Sequence, residues 1–196
     1  CGNRQALQDM TLAKRMQPGF AARNAVWAAS LARLGVTGPE HALEGESGLF
    51  GTYVTSGVPS PEDLRELPEG VRQIERLSIK RYAACGGSHP LIDGALELRE
   101  THGITPESIE RIDISWAGRG SNPVVGFPFS SKGDLQVNAQ FSAPYAVALA
   151  LRHGDAAPWR FADEAIREDR ETQELSRRVV MVDRKDIPPR RQTPSD

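Results

Sequence analysis

Between Ser78 and Ala95 the chain reads SIKRYAACGGSHPLIDGA, which sets Lys80, Arg81, Cys85, Ser88 and His89 close together. Two cations precede a glycine pair, and a serine and a histidine open an amphipathic run. Backbone N–H groups at a helix N-terminus attract anions, and glycines there let a ligand approach. Lys80 at a predicted strand end, with Arg81 beside it, reinforces that field. The arrangement suits the holding of a carboxylate or a phosphate. A solvated lysine followed by a capping serine in an ordinary strand–turn–helix has the same spacing, and spacing does not separate the two.

A second basic spot lies in LAKRMQPGFAA, where Lys14 and Arg15 stand just before Pro18 and Gly19. An anion fits there too, and two surface charges fit equally well. Cys85 and His89 are four residues apart, but tetrahedral zinc takes about four ligands. His41, His102 and His153 read as surface or helix-end residues, so no metal is expected. A Cys85–His89 nucleophilic pair is conceivable, yet a buried structural thiol is the simpler expectation. Tyr145 enters an apolar run and reads as a core tyrosine whose hydroxyl finds a partner. GRGSNP lacks the lysine–serine pair of a phosphate-binding loop.

These groups need elements to position them. The chain has 196 residues, 39% hydrophobic and 26% charged, with a net charge of −2. That length buries a real core. No basic excess points to nucleic acid. No apolar run approaches the ~20 residues of a membrane span, and no signal peptide is seen. Cys1 and Cys85 make no disulfide framework, so a reducing, cytoplasmic setting is expected. The opening Cys1 in place of methionine reads as a fragment, a processed product or a trimmed stretch.

Helical spacing of alanines with Val26, Trp27, Leu31 and Leu34 predicts a helix from about Phe20 to Leu34. A short helix followed by turns is expected over PEHALEGESGLFGTYVTSG, and a capped helix at SPEDLRELPEG. VRQIERLSIKRY alternates well enough for a strand ending near Lys80. Ser88 and Gly103 bracket an amphipathic helix. Ile112, Ile114 and Trp116 alternate with Asp113 and Ser115 in the cleanest strand. A long glycine/proline/serine-rich loop from Arg119 to Asn138 follows. NAQFSAPYAVALALRHG predicts an apolar helix, FADEAIREDRETQELSRRV one or two polar helices, and VVMV a final strand. The expected fold is α+β, a two-layer sandwich with helices on one face of a small, mainly antiparallel sheet.

Four blocks occur together and in order. KRMQPGFAARNAVWAASLARLGVTGP, LEGESGLF, IKRYAACGGSHPLIDGALEL and NAQFSAPYAVALAL resemble successive segments of MmgE/PrpD-family proteins, from about Ala13 to Val182. The family includes 2-methylcitrate dehydratase, cis-aconitate decarboxylase and iminodisuccinate epimerase. It needs no cofactor and moves a proton at carbon beside a carboxylate.

The resemblance implies that Lys14, Lys80, His89 and Tyr145 are catalytic, with His89 a proton carrier. It implies that Arg15, Gln17, Arg81, Cys85 and Ser88 contact substrate. Gln17 stands where the family usually has histidine, and it cannot carry a proton at neutral pH. Ala83 replaces a usual proline. The implied domains are a connecting segment at 1–19, a capping domain at 20–183 and a disordered polar tail at 184–196, without most of the family's N-terminal helical domain. The implied activity is a hydro-lyase step of propionate metabolism, dehydration of a 2-methylcitrate-like polycarboxylate, with turnover by this stretch alone left open. A non-catalytic remnant that binds a partner or small anion, and an epimerase or decarboxylase, are the alternatives. The expected partners are a second copy or a helical domain, not nucleic acid or membrane.

Overall fold

A computed structural model describes residues 5–54, 75, 77–117 and 124–184. The chain divides into two compact units, one formed by Pro18–Ile79 and the other by Cys1–Gln17 with Lys80–Asp196.

Helix α1 spans Gln5–Gln8 and α2 spans Ala13–Arg33. The second starts well before the expected Phe20 and takes in Lys14, Arg15 and Gln17. Pro18 lies inside it and has no N–H, so the Lys14 carbonyl loses its intrahelical donor. The surrounding alanines are strong helix formers and carry the helix through. No residue of α2 is buried; Val26 is 65% and Trp27 66% exposed. Turns over 40–48 precede α3, Leu49–Tyr53, reversing the expected order of helix and turns. Gly51 is required there by close approach, since a Cβ would fall 2.1 Å from the Glu46 carbonyl oxygen.

In the larger unit, a 3-10 turn at Gly86–Ser88 leads into α4, His89–His102. Ser88 occupies the N-cap position, but its hydroxyl makes no cap hydrogen bond. Gly103 closes the helix in the left-handed region, as its sequence position predicts. Strand β1 is Ile112–Ala117, followed by α5 (Leu135–Gln140), α6 (Ala143–His153), α7 (Asp163–Glu168), α8 (Arg170–Ser176) and β2 (Val179–Arg184). Helix α5 begins inside the stretch expected to be loop. The predicted single helix over NAQFSAPYAVALALRHG is two, because Ser142 caps a fresh start by accepting from Tyr145 N–H at 3.2 Å.

The fold is α+β, but the described strands correct the expected pairing. β1 and β2 run parallel, from Ile112 opposite Val179 to Ala117 opposite Arg184. Helices α5–α8 form the connection, which is the length a parallel crossover needs. Alternation in β1 points to antiparallel pairing because parallel strands are usually buried on both faces. Here Ile114 is buried while Asp113 and Ser115 are exposed, so a parallel pair with one covered face alternates just as well. A second correction concerns 77–80, which form no strand; Ile79 is 98% exposed. Alternation alone supplies no partner for the backbone of that segment. The expected helix at SPEDLRELPEG lies outside the described residues, as does the expected tail at 184–196 apart from Arg184, which ends β2.

Helix α6 is the hub. Residues Ala143 to Leu151 are all buried, and it packs against α4, α8 and β2. Ile92, Phe161 and Ile166, with no exposed surface, surround it. Among the described residues, no helix is long and apolar enough to cross a membrane.

Candidate active site

Three elements of the larger unit converge on a recess of about 220 Å³ lined by Lys14, Arg15, Lys80, Ala83, Ala84, Cys85, Gln140 and Phe141. The first turn of α2 brings Lys14 and Arg15. The segment leading to α4 brings Lys80 to Cys85. The C-terminal end of α5 brings Gln140 and Phe141.

Local chemistry fixes each wall. Asp134 caps α5 by accepting from Val137 N–H at 2.7 Å. Leu135, Val137, Asn138 and Ala139 are buried, which leaves Gln136 and Gln140, one turn apart, on the open side. The Gln140 carbonyl accepts from Cys85 N–H at 2.8 Å, tying α5 to the turn. Lys80 Nζ donates to the Ala84 carbonyl at 3.1 Å. Lys14 Nζ sits 4.7 Å from the centre of the Phe141 ring, a cation–π distance. Arg15 donates from Nη1 to Gln136 Oε1 and from Nη2 to Gln140 Oε1, the latter at 2.5 Å.

None of Lys14, Arg15 and Lys80 forms an ion pair among the described residues. Three like charges share one small recess without a carboxylate. Arg15 and Lys80 are exposed and Lys14 half-buried, so solvent screens much of their repulsion, and a bound anion would offset what is left. Larger recesses exist, one of about 800 Å³ beside β1 and α4, but its lining is largely apolar and its one arginine, Arg111, is already paired with Asp113 at 2.7 Å.

Of the residues singled out from the sequence, Lys14, Arg15, Lys80 and Cys85 meet at the recess; the other five do not line it. Arg81 is exposed and reaches Asp93 at 3.4 Å. Tyr82 donates to the same carboxylate at 2.5 Å, and burial together with that bond pushes its phenol up. His89 lies edge-on to Tyr82, ring centres 5.2 Å apart, with its Nε2 buried and unpartnered among the described residues. The Ser88 hydroxyl is also buried and has no partner among the described residues. Gln17 is in α2. Tyr145 is fully buried against Phe129 at 4.6 Å, and among the described residues its hydroxyl lacks the partner expected of a core tyrosine. Burial, with the Asp169 charge adding, pushes its phenol far above the ordinary value. Gln136, Gln140 and Phe141 were missed. The glutamines' spacing, one helical turn, was the available signal.

Residues 82–195 match the model of the MmgE/PrpD C-terminal domain, and residues 1–62 that of the N-terminal domain. The chain belongs to the MmgE/PrpD family. Among curated relatives of this MmgE/PrpD chain is the cis-aconitate decarboxylase-like protein oryM of Aspergillus oryzae, 28% identical over 184 residues. The match covers 86% of this chain and 37% of that relative, so the chain spans well under half its length.

Proposed function

We propose that this chain supplies the carboxylate-holding cations of an MmgE/PrpD-type lyase acting on a small polycarboxylate. The observation that carries this reading is the set of three uncompensated cations, Lys14, Arg15 and Lys80, around one recess. Removing a proton from carbon beside a carboxylate builds negative charge on that carboxylate. Fixed cations lower the barrier by meeting that charge as it develops. The Arg15 fork suits a carboxylate, and the lysines act as compact charges.

In the dehydration reading, a 2-methylcitrate-like substrate loses the proton beside a carboxylate and then hydroxide from the neighbouring carbon, which departs as water once protonated. His89 is the proposed proton carrier and Tyr145 the proposed donor, both with uncommitted polar atoms. A second reading, decarboxylation of a cis-aconitate-like acid, is favoured by the name of the Aspergillus relative. A third, carboxylate binding without turnover, is favoured by the recess lining, which includes no carboxylate or imidazole. The chain's proposed companion is a second copy or a helical domain.

The test is proton NMR of the purified chain with citrate, 2-methylcitrate and cis-aconitate in heavy water. Deuterium entry beside a carboxylate, lost in Lys80→Ala, supports the lyase. Binding that needs Lys80 but gives no exchange supports the third reading. Binding indifferent to Lys80→Ala sinks the site.

A further inference from the structure

The recess holds its arginine on two side-chain amides, whereas Arg99 and Arg178 donate to backbone carbonyls. Arg111, Arg152, Arg160 and Arg177 are each paired with a carboxylate. Arg15 instead donates to two amide oxygens, Gln136 Oε1 and Gln140 Oε1. An amide oxygen accepts as directionally as a carboxylate but carries no formal charge. The guanidinium is therefore oriented without being neutralised.

Gln136 is itself fixed at its side chain, and Gln140 at its backbone. Gln136 Nε2 donates to the Phe161 carbonyl at 2.8 Å, which sets its oxygen toward Arg15 and settles the amide orientation. Gln140 uses its backbone carbonyl for Cys85 N–H and its side chain for Arg15, so one residue links both cationic walls of the recess. A cation oriented before a ligand arrives loses less freedom on binding.

We infer that Gln136 and Gln140 are a positioning pair that keeps Arg15 oriented and fully charged, making the recess selective for multiply charged carboxylates over singly charged ones. Acetate can be held by Lys14 and Lys80; a tricarboxylate needs the third cation. The inference deepens the proposed function and rests on its reading of the recess.

The experiment uses the full chain with 15N-labelled arginine, and citrate and acetate as probes. Without ligand, slow rotation of the Arg15 guanidinium is expected in the wild type, and faster rotation in Gln140→Ala. Gln140→Glu keeps Arg15 held but neutralises it. Citrate affinity should then fall about tenfold or more, the scale of one charge-assisted contact, with acetate affected much less. Free rotation in the wild type overturns the clamp. Unchanged citrate binding in Gln140→Glu, or equal loss of both anions, overturns the selectivity. Failure of the underlying reading looks different: citrate does not bind the wild type, or binds regardless of Lys80→Ala and Lys14→Ala. The selectivity falls with it, while guanidinium rotation still decides whether the amides hold Arg15.

Discussion

Tyr145 shows how a single residue can be placed well by sequence and still surprise. Its position in an apolar helix predicts burial, and it is fully buried. The partner that a buried hydroxyl ordinarily finds is missing among the described residues. An unpartnered buried hydroxyl costs roughly 1–3 kcal/mol. Tyr145→Phe should therefore leave stability unchanged or raise it by about 1 kcal/mol, read as the urea midpoint. A clear fall would mean that the hydroxyl is bonded in solution. The cations behave differently. Lys14, Arg15 and Lys80 were legible by type, since lysine and arginine beside a turn mark anion chemistry anywhere in a chain. That they line one recess was not legible, because Gln140, which ties Arg15 to the turn at Cys85, is of a type that signals nothing by itself.

At the scale of elements, the start of α8 is built on Asp169. Its carboxylate accepts from Thr172 N–H at 3.0 Å, from Thr172 Oγ1 at 2.5 Å and from His153 Nε2 at 2.7 Å. Arg152 Nε stands 3.1 Å away as an ion-pair partner not aligned for a hydrogen bond. Burial alone would raise this carboxyl; the bonds from Thr172 and His153 and the His153 charge outweigh it and hold Asp169 below its ordinary range. A depressed carboxyl stabilises the fold above the unfolded value, near 3.9, and that contribution is lost as pH falls through the folded value. Acid unfolding followed by circular dichroism should be less steep below about pH 4 in Asp169→Asn. Asp169→Ala, which removes the cap and the ion-pair partner together, should cost about 2–4 kcal/mol at neutral pH. A loss near zero would show that α6 and α8 are held by apolar packing alone. The existence of these helices was readable from periodicity. The parallel sense of β1 and β2 was not, since alternation reports which face is covered and says nothing of strand direction.

At the scale of the whole molecule, α2 is a long helix of which no residue is buried. Val26, Trp27 and Leu31 are all exposed, though their spacing is that of a helix with an apolar face. Contiguous exposed apolar surface binds hydrophobic dyes and promotes association. The purified chain should enhance the fluorescence of an anilinonaphthalene dye, and Trp27→Glu should reduce that signal severalfold without altering the circular dichroism of the larger unit. Absence of dye binding would show this face covered in solution. The order of four blocks along the chain identified the family, because each block is local and survives in a linear reading. The existence of most helices was likewise local, set by apolar period and by stops such as Gly103, whereas the break that Ser142 caps emerged only in the structure. The recess depended on folding. Its cations come from two stretches far apart in sequence, no carboxylate pairs with them among the described residues, and no linear pattern records which side chains end up without an opposite charge.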